Sequence, residues 1–232
     1  MTAPSQPVMP WRRTAMVTVA VAVALVLAGG IAFHHHRNYT RFDWHIAVWI
    51  YRHVNHRFVR DLVHITSPTG VTLLIGAVVI AAWMRGRKRL AVVTAFGPLV
   101  AIFVTEWVAK PLVARELSVL PTLPPVGSDS YPSGHETGLA SLTTVLVLVV
   151  IAVTASSAWR LAAIAGALVI DLIGSFALVG NFYHYATDTL AAICVSVASI
   201  VGLALVLDRF AEWRGAVSSP DAATLASTAH EA

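Results

Sequence analysis

Two short polar clusters interrupt a largely apolar chain, and each carries a histidine. The first reads Ser130-Tyr131-Pro132-Ser133-Gly134-His135-Glu136, the second Asn181-Phe182-Tyr183-His184-Tyr185-Ala186-Thr187-Asp188. Histidine does acid–base and nucleophilic work near neutral pH. Asp188 follows His184 by four residues and shares its face where that turn is helical. Gly134 permits close backbone approach, and Ser133 with the free N–H groups of a following helix start forms an anion cradle. Lys110 closes an apolar run and adds a point charge. These residue types can carry protons and hold an anion. No His/Cys/Asp/Glu grouping demands a metal. His34-His35-His36 lacks an organised partner and reads as an interfacial polar patch. Cys194 is the single cysteine, which rules out an intrachain disulfide.

The elements that position these clusters are membrane spans. Of 232 residues, 57% are hydrophobic and 12% charged, against about 25% charged in soluble domains. The formal charge of +4 sits beside apolar segments, not along one polar face, which argues against nucleic acid and for lipid headgroups. Apolar runs at about 14–33, 69–84, 90–109, 137–155, 159–179 and 187–207 predict six spans. The run at 69–84 is short and is expected to extend into Ser67-Pro68. Runs of this length satisfy their backbone as helices, so an all-α six-helix bundle is expected. Pro98 is expected to kink the third span. Phe42, Ile46, Trp49, Ile50, His53 and Val54 fall near helical spacing, with Asp43 in the first turn, and predict an amphipathic helix between the first two spans. Residues 1–13 and 211–232 are expected to be disordered cytoplasmic tails flanking a 14–210 membrane domain.

With both tails inside, Arg12, Arg13, Arg85, Arg87, Lys88, Arg89, Arg160, Arg209 and Arg214 fall on the inner side, as the positive-inside rule requires. Arg37, Arg41, Arg52, Arg57 and Arg60 lie against the rule. An even number of spans then places Lys110, His135 and His184 together on the outer face.

From roughly Asp43 to Leu207 the chain resembles the type 2 phosphatidic acid phosphatase (PAP2) family of lipid phosphate phosphatases, related to vanadium haloperoxidases. Lys110 fits the lysine that opens the family's first motif. Pro132-Ser133-Gly134-His135 reproduces the second in full, and His184 and Asp188 the end of the third. Leu117 and Leu178 stand where the family carries two phosphate-gripping arginines, and Ser118 replaces the proline after the first.

The resemblance implies a PAP2-type bundle and metal- and cofactor-independent hydrolysis of a lipid phosphate or diphosphate. It makes His184 the nucleophile that forms a phosphohistidine, Asp188 its partner and His135 the general acid. Lys110, Ser133 and Gly134 are the expected substrate-binding residues, with Arg115 supplying part of the missing grip. The expected partners are a membrane lipid phosphate, undecaprenyl diphosphate first among candidates, and the bilayer. An alanine- and valine-rich composition associates the chain with a bacterial inner membrane, its site facing the periplasm or exterior. The alternative is a catalytically impaired homologue that binds, moves or scaffolds phospholipids. Glu106, one turn before Lys110, either pairs with that lysine or faces the pocket. Asp171, mid-span, either bonds to Ser or Thr hydroxyls or lies protonated below the pocket.

Overall fold

The computed structural model describes residues 8–9, 11–35, 39–118 and 129–217, with side chains as far as Arg214. They form helices α1 (Arg12–Phe33), α2 (Arg41–His53), α3 (His56–Leu62), α4 (Pro68–Met84), α5 (Lys88–Phe103), α6 (Lys110–Val113), α7 (Gly134–Val153), α8 (Ser157–Gly180) and α9 (Ala186–Val217). A 3-10 turn, Val63–Thr66, joins α3 to α4, and a π-helical turn, Val104–Ala109, joins α5 to α6. Among the described residues, six stretches are long and apolar enough to cross a bilayer: Arg12–Phe33, His56–Met84, Lys88–Val113, Gly134–Val153, Ser157–Gly180 and Ala186–Arg214. The protein is an all-α, multi-pass membrane bundle, as its composition predicts.

Local chemistry sets the helix starts. Thr40, Asn55, Ser133 and Ser156 cap α2, α3, α7 and α8 by accepting N–H groups of the first turn, which satisfies donors with no partner inside the helix. The bundle centres on α7. Val145 and Leu148 of α7 pack with Val93 of α5 and Ile200 and Ala204 of α9. Gly97 allows this closeness, since a Cβ there would come within 2.9 Å of Ile200 Cγ1. By contrast α1 turns Val17, Leu25, Leu27 and Ile31 outward, which suits a helix facing lipid.

Several elements differ from expectation. The second span reaches back through Pro68 as expected, and α3 and the 3-10 turn continue the stretch to His56, so the polar segment between the first two spans holds two helices where one was expected. Of the expected apolar face of α2, Ile46, Ile50 and Val54 pack on Val59, Val179 and Ala186, but Phe42 and Trp49 point outward. The buried face is Asp43, Ala47 and Ile50, because Asp43 has a partner inside. Pro98 lies within α5, and the change of helical geometry comes later, at Val104–Ala109.

The tail boundaries shift too. Helix α1 takes in Arg12 and Arg13, and α9 runs past 210 to Val217. Val8 and Met9 are buried, and their amides donate to the two carboxylate oxygens of Asp208 at 3.0 and 2.9 Å. The remaining tail residues, 1–7, 10 and 218–232, lie outside the described residues, as does His36 of the histidine patch.

Candidate active site

The segment after α6, the approach to α7 and the turn before α9 meet around one guanidinium. Arg115 is fully buried and pairs with Asp188 Oδ1 at 2.5 Å and Asp43 Oδ2 at 2.8 Å. It donates to Thr187 Oγ1 at 2.7 Å, and the Thr187 amide donates to Asp43 Oδ1 at 3.0 Å. Its planar group stacks between Phe33 and Tyr185, about 4 Å from each ring. A stacked, doubly paired guanidinium suits arginine and not lysine. The backbone completes the knot: Ser130 N–H donates to Arg115 carbonyl and Ser133 N–H to Asp188 carbonyl, both at 3.1 Å. Tyr185 Oη accepts from Ser118 N–H at 2.8 Å and donates to Glu116 carbonyl at 3.1 Å. Burial raises the pKa of the Tyr131 and Tyr185 phenols, which therefore serve as neutral hydrogen-bonding groups.

Arg115 thus points into the wall of the site and not into its opening. The expectation that it would help hold phosphate meets a physical obstacle, because freeing it would strand two buried carboxylates.

His184 stands beside this wall. Its Nδ1 lies 3.0 Å from Ser130 carbonyl oxygen and 3.9 Å from Asp188 Oδ2. A carbonyl only accepts, so Nδ1 carries the hydrogen, which in the neutral tautomer leaves the Nε2 lone pair free. Asp188 Oδ2 meanwhile accepts the Tyr185 amide at 3.0 Å. Ser130 carbonyl therefore makes the hydrogen bond expected of Asp188, which remains near as a charge.

The rings of His135 and His184 are 6.3 Å apart, centre to centre. His135 rides the first turn of α7, where Ser133 Oγ accepts Glu136 N–H at 3.2 Å. Ser133 is fully buried, so its hydroxyl acts as the helix cap. Lys110 Nζ donates to Glu106 Oε2 at 2.8 Å. The π-helical turn that carries Glu106 is tied to α7 through Thr105 and Thr137, whose hydroxyl oxygens are 3.0 Å apart.

A cavity of about 610 Å³ opens on these groups, lined at one end by Glu106, Lys110, Gly134, His135 and His184. Its other walls are apolar: Val71, Ile75 and Val79 of α4, and Ala95, Leu99 and Ile102 of α5. Lys110 and Ala95 are fifteen residues apart, so the slot runs about 20 Å down the bundle at helical rise.

Of the expected site residues, Lys110, Gly134, His135 and His184 line this cavity. Ser133, Arg115 and Asp188 stand behind it. Leu178 is fully buried and Leu117 half-buried, and neither lines the cavity. Glu106 fulfils both alternatives, pairing with Lys110 and facing the cavity.

Asp171 lies with its two oxygens 2.9 and 3.1 Å from Thr143 Oγ1, the hydroxyl-bonded alternative. Two residues escaped the sequence reading. Asp43 had only its place in a helix's first turn to mark it. Glu136 is fully buried over Gly174, and its place after His135 was the sole signal. Among the described residues, no group of three or more His, Cys, Asp and Glu side chains is arranged to hold a metal.

No family model and no curated protein matches the chain. Among solved structures, it is similar to the transmembrane PAP2-type phosphatidylglycerolphosphate phosphatase from Bacillus subtilis. That match has a TM-score of 0.59 and 16% identity, and covers 85% of this chain and 96% of that one. The chain has that enzyme's fold.

Proposed function

We propose that this PAP2-type fold hydrolyses a lipid phosphate or diphosphate at the outer face of a bacterial inner membrane. The observation that carries the proposal is the pair of histidines at the polar mouth of a long apolar slot, one with its Nδ1 held by the Ser130 carbonyl. An acyl or prenyl tail fits the slot between α4 and α5 while its phosphate lies at Lys110, Gly134, His135 and His184.

His184 Nε2 attacks the terminal phosphorus, and its bond to the leaving oxygen (the bridging oxygen of a diphosphate, the lipid ester oxygen of a monophosphate) breaks as His135 gives that oxygen a proton. Ser130 carbonyl holds Nδ1–H throughout, and the Asp188 charge stabilises the cation that forms on the ring. His135 then takes a proton from water, the water oxygen bonds to phosphorus, and phosphate leaves His184. Lys110 and the first N–H groups of α7 hold the equatorial oxygens. None of these steps calls on a metal.

The substrate is a polyprenyl diphosphate such as undecaprenyl diphosphate, with a phosphatidylglycerophosphate or phosphatidate as the nearest competitors. Nine inner basic residues support the sidedness.

The test is a quenched reaction of the purified protein with phosphate-labelled lipids of these three kinds. Label is expected on the wild-type protein with one of them and absent from His184→Ala. Turnover without protein-bound label in any quench contradicts the covalent route.

One observation favours a second reading, that of an impaired homologue that binds or moves phospholipid. Among the described residues, the cavity's lining holds one lysine and no arginine, and that lysine is already paired with Glu106. Such a protein would bind the same lipids and release no phosphate.

A further inference from the structure

Glu106 stands where an anion belongs. Its Oε1 lies against the first residue of α7, so close that a Cβ on Gly134 would overlap it, and Lys110 Nζ is 3.6 Å from that same point. Its Oε2 accepts from Lys110 Nζ at 2.8 Å. The carboxylate therefore fills the corner between a lysine and a helix N-terminus, the two features that attract a phosphate. The arrangement is built. The π-helical turn Val104–Ala109 carries Glu106, and the Thr105–Thr137 contact fixes that turn on α7. Position 134 has no Cβ, which leaves the corner open. The Glu106 side chain is 37% exposed and lines the cavity, so it has space to swing away.

We propose that Glu106 is a resident anion that competes with substrate phosphate for Lys110 and the start of α7, and so sets the affinity of the site. This rests on the phosphatase reading of the cavity. A phosphate that enters must displace the carboxylate or share the corner with it, and like charges so close repel. Bound phosphate then takes Lys110 as its own partner, and Glu106 turns toward the slot. The same competition keeps the product from holding the site, because Glu106 returns as phosphate leaves. Removing the charge while keeping the shape strengthens anion binding.

The experiment measures inorganic phosphate binding by equilibrium dialysis, on the full chain in detergent, for wild type, Glu106→Gln, Glu106→Asp, Lys110→Ala and His184→Ala. Circular dichroism melts verify that each variant folds. Glu106→Gln is expected to bind phosphate about tenfold more tightly or better, and the gain vanishes when Lys110→Ala is added. Glu106→Asp, a methylene shorter and drawn back from Gly134, falls between. Binding by Glu106→Gln that is unchanged or weaker, while Lys110→Ala and His184→Ala both weaken it, overturns the role of Glu106 and leaves the phosphate site standing. Binding indifferent to Lys110 and His184 in every background overturns the phosphate site and the proposal with it.

Discussion

Two cations lie on either side of the His184 segment, and their surroundings are opposites. Arg115 is fully buried, stacked between two rings and paired with two carboxylates. Lys110 lines an open cavity with a single carboxylate for company, on a side chain 15% exposed. The first pairing is redundant and dry, so it serves to hold three chain segments in register. The second is single and borders the cavity, so a ligand can replace it. Positive charge near the proposed phosphate site is therefore a poor guide to what would grip phosphate. What matters is whether its counter-ions are removable.

Substitutions can break this division, and the largest effect belongs to the chemistry. His184→Ala is expected to abolish phosphate release while shifting stability by about 1 kcal/mol at most, measured by turnover and thermal melts on one preparation. Next comes Arg115→Met, expected to destabilise the protein by about 3–5 kcal/mol, since it leaves Asp43 and Asp188 buried without their partner. Denaturant or thermal unfolding in detergent reads this. A folded, fully stable Arg115→Met with weakened phosphate binding would move Arg115 from the wall to the opening.

His135→Ala is expected to slow turnover by about 10²–10⁴-fold, with inorganic phosphate still bound at the site. Smallest is Asp43→Asn, expected to cost about 1.5–3 kcal/mol of stability, the range of one hydrogen bond to a charged group. Its substrate KM is expected to stay as in wild type, because Asp43 does not line the cavity.

How much of this was readable without a structure depends on range along the chain. Span number and helix type followed from apolar runs, because lipid leaves the backbone few choices. The two histidine clusters stood out for the same reason: polar groups in an apolar chain have to be accounted for. The Lys110–Glu106 pair was visible as an i, i+4 spacing. The Arg115 knot was not, because Asp43 and Asp188 lie 72 and 73 residues away and no local pattern joins them. Asp43 also looked like an ordinary acidic first-turn residue, and that reading turned α2 partly outside in. His184 and Asp188 have the right spacing, yet a backbone carbonyl takes the hydrogen bond, and carbonyls have no sequence signature. The π-helical turn that aims Glu106 at Gly134 was invisible too, since its residues are an unremarkable apolar stretch around one glutamate.

The central claim is that His184 performs phosphoryl transfer on a lipid phosphate. Its most direct measurement is phosphate released by the purified full chain from undecaprenyl diphosphate, phosphatidylglycerophosphate and phosphatidate in chelator, beside His184→Ala. The account predicts release from at least one of them by the wild-type protein and none by the variant. Release no greater than that of His184→Ala on every substrate would contradict it.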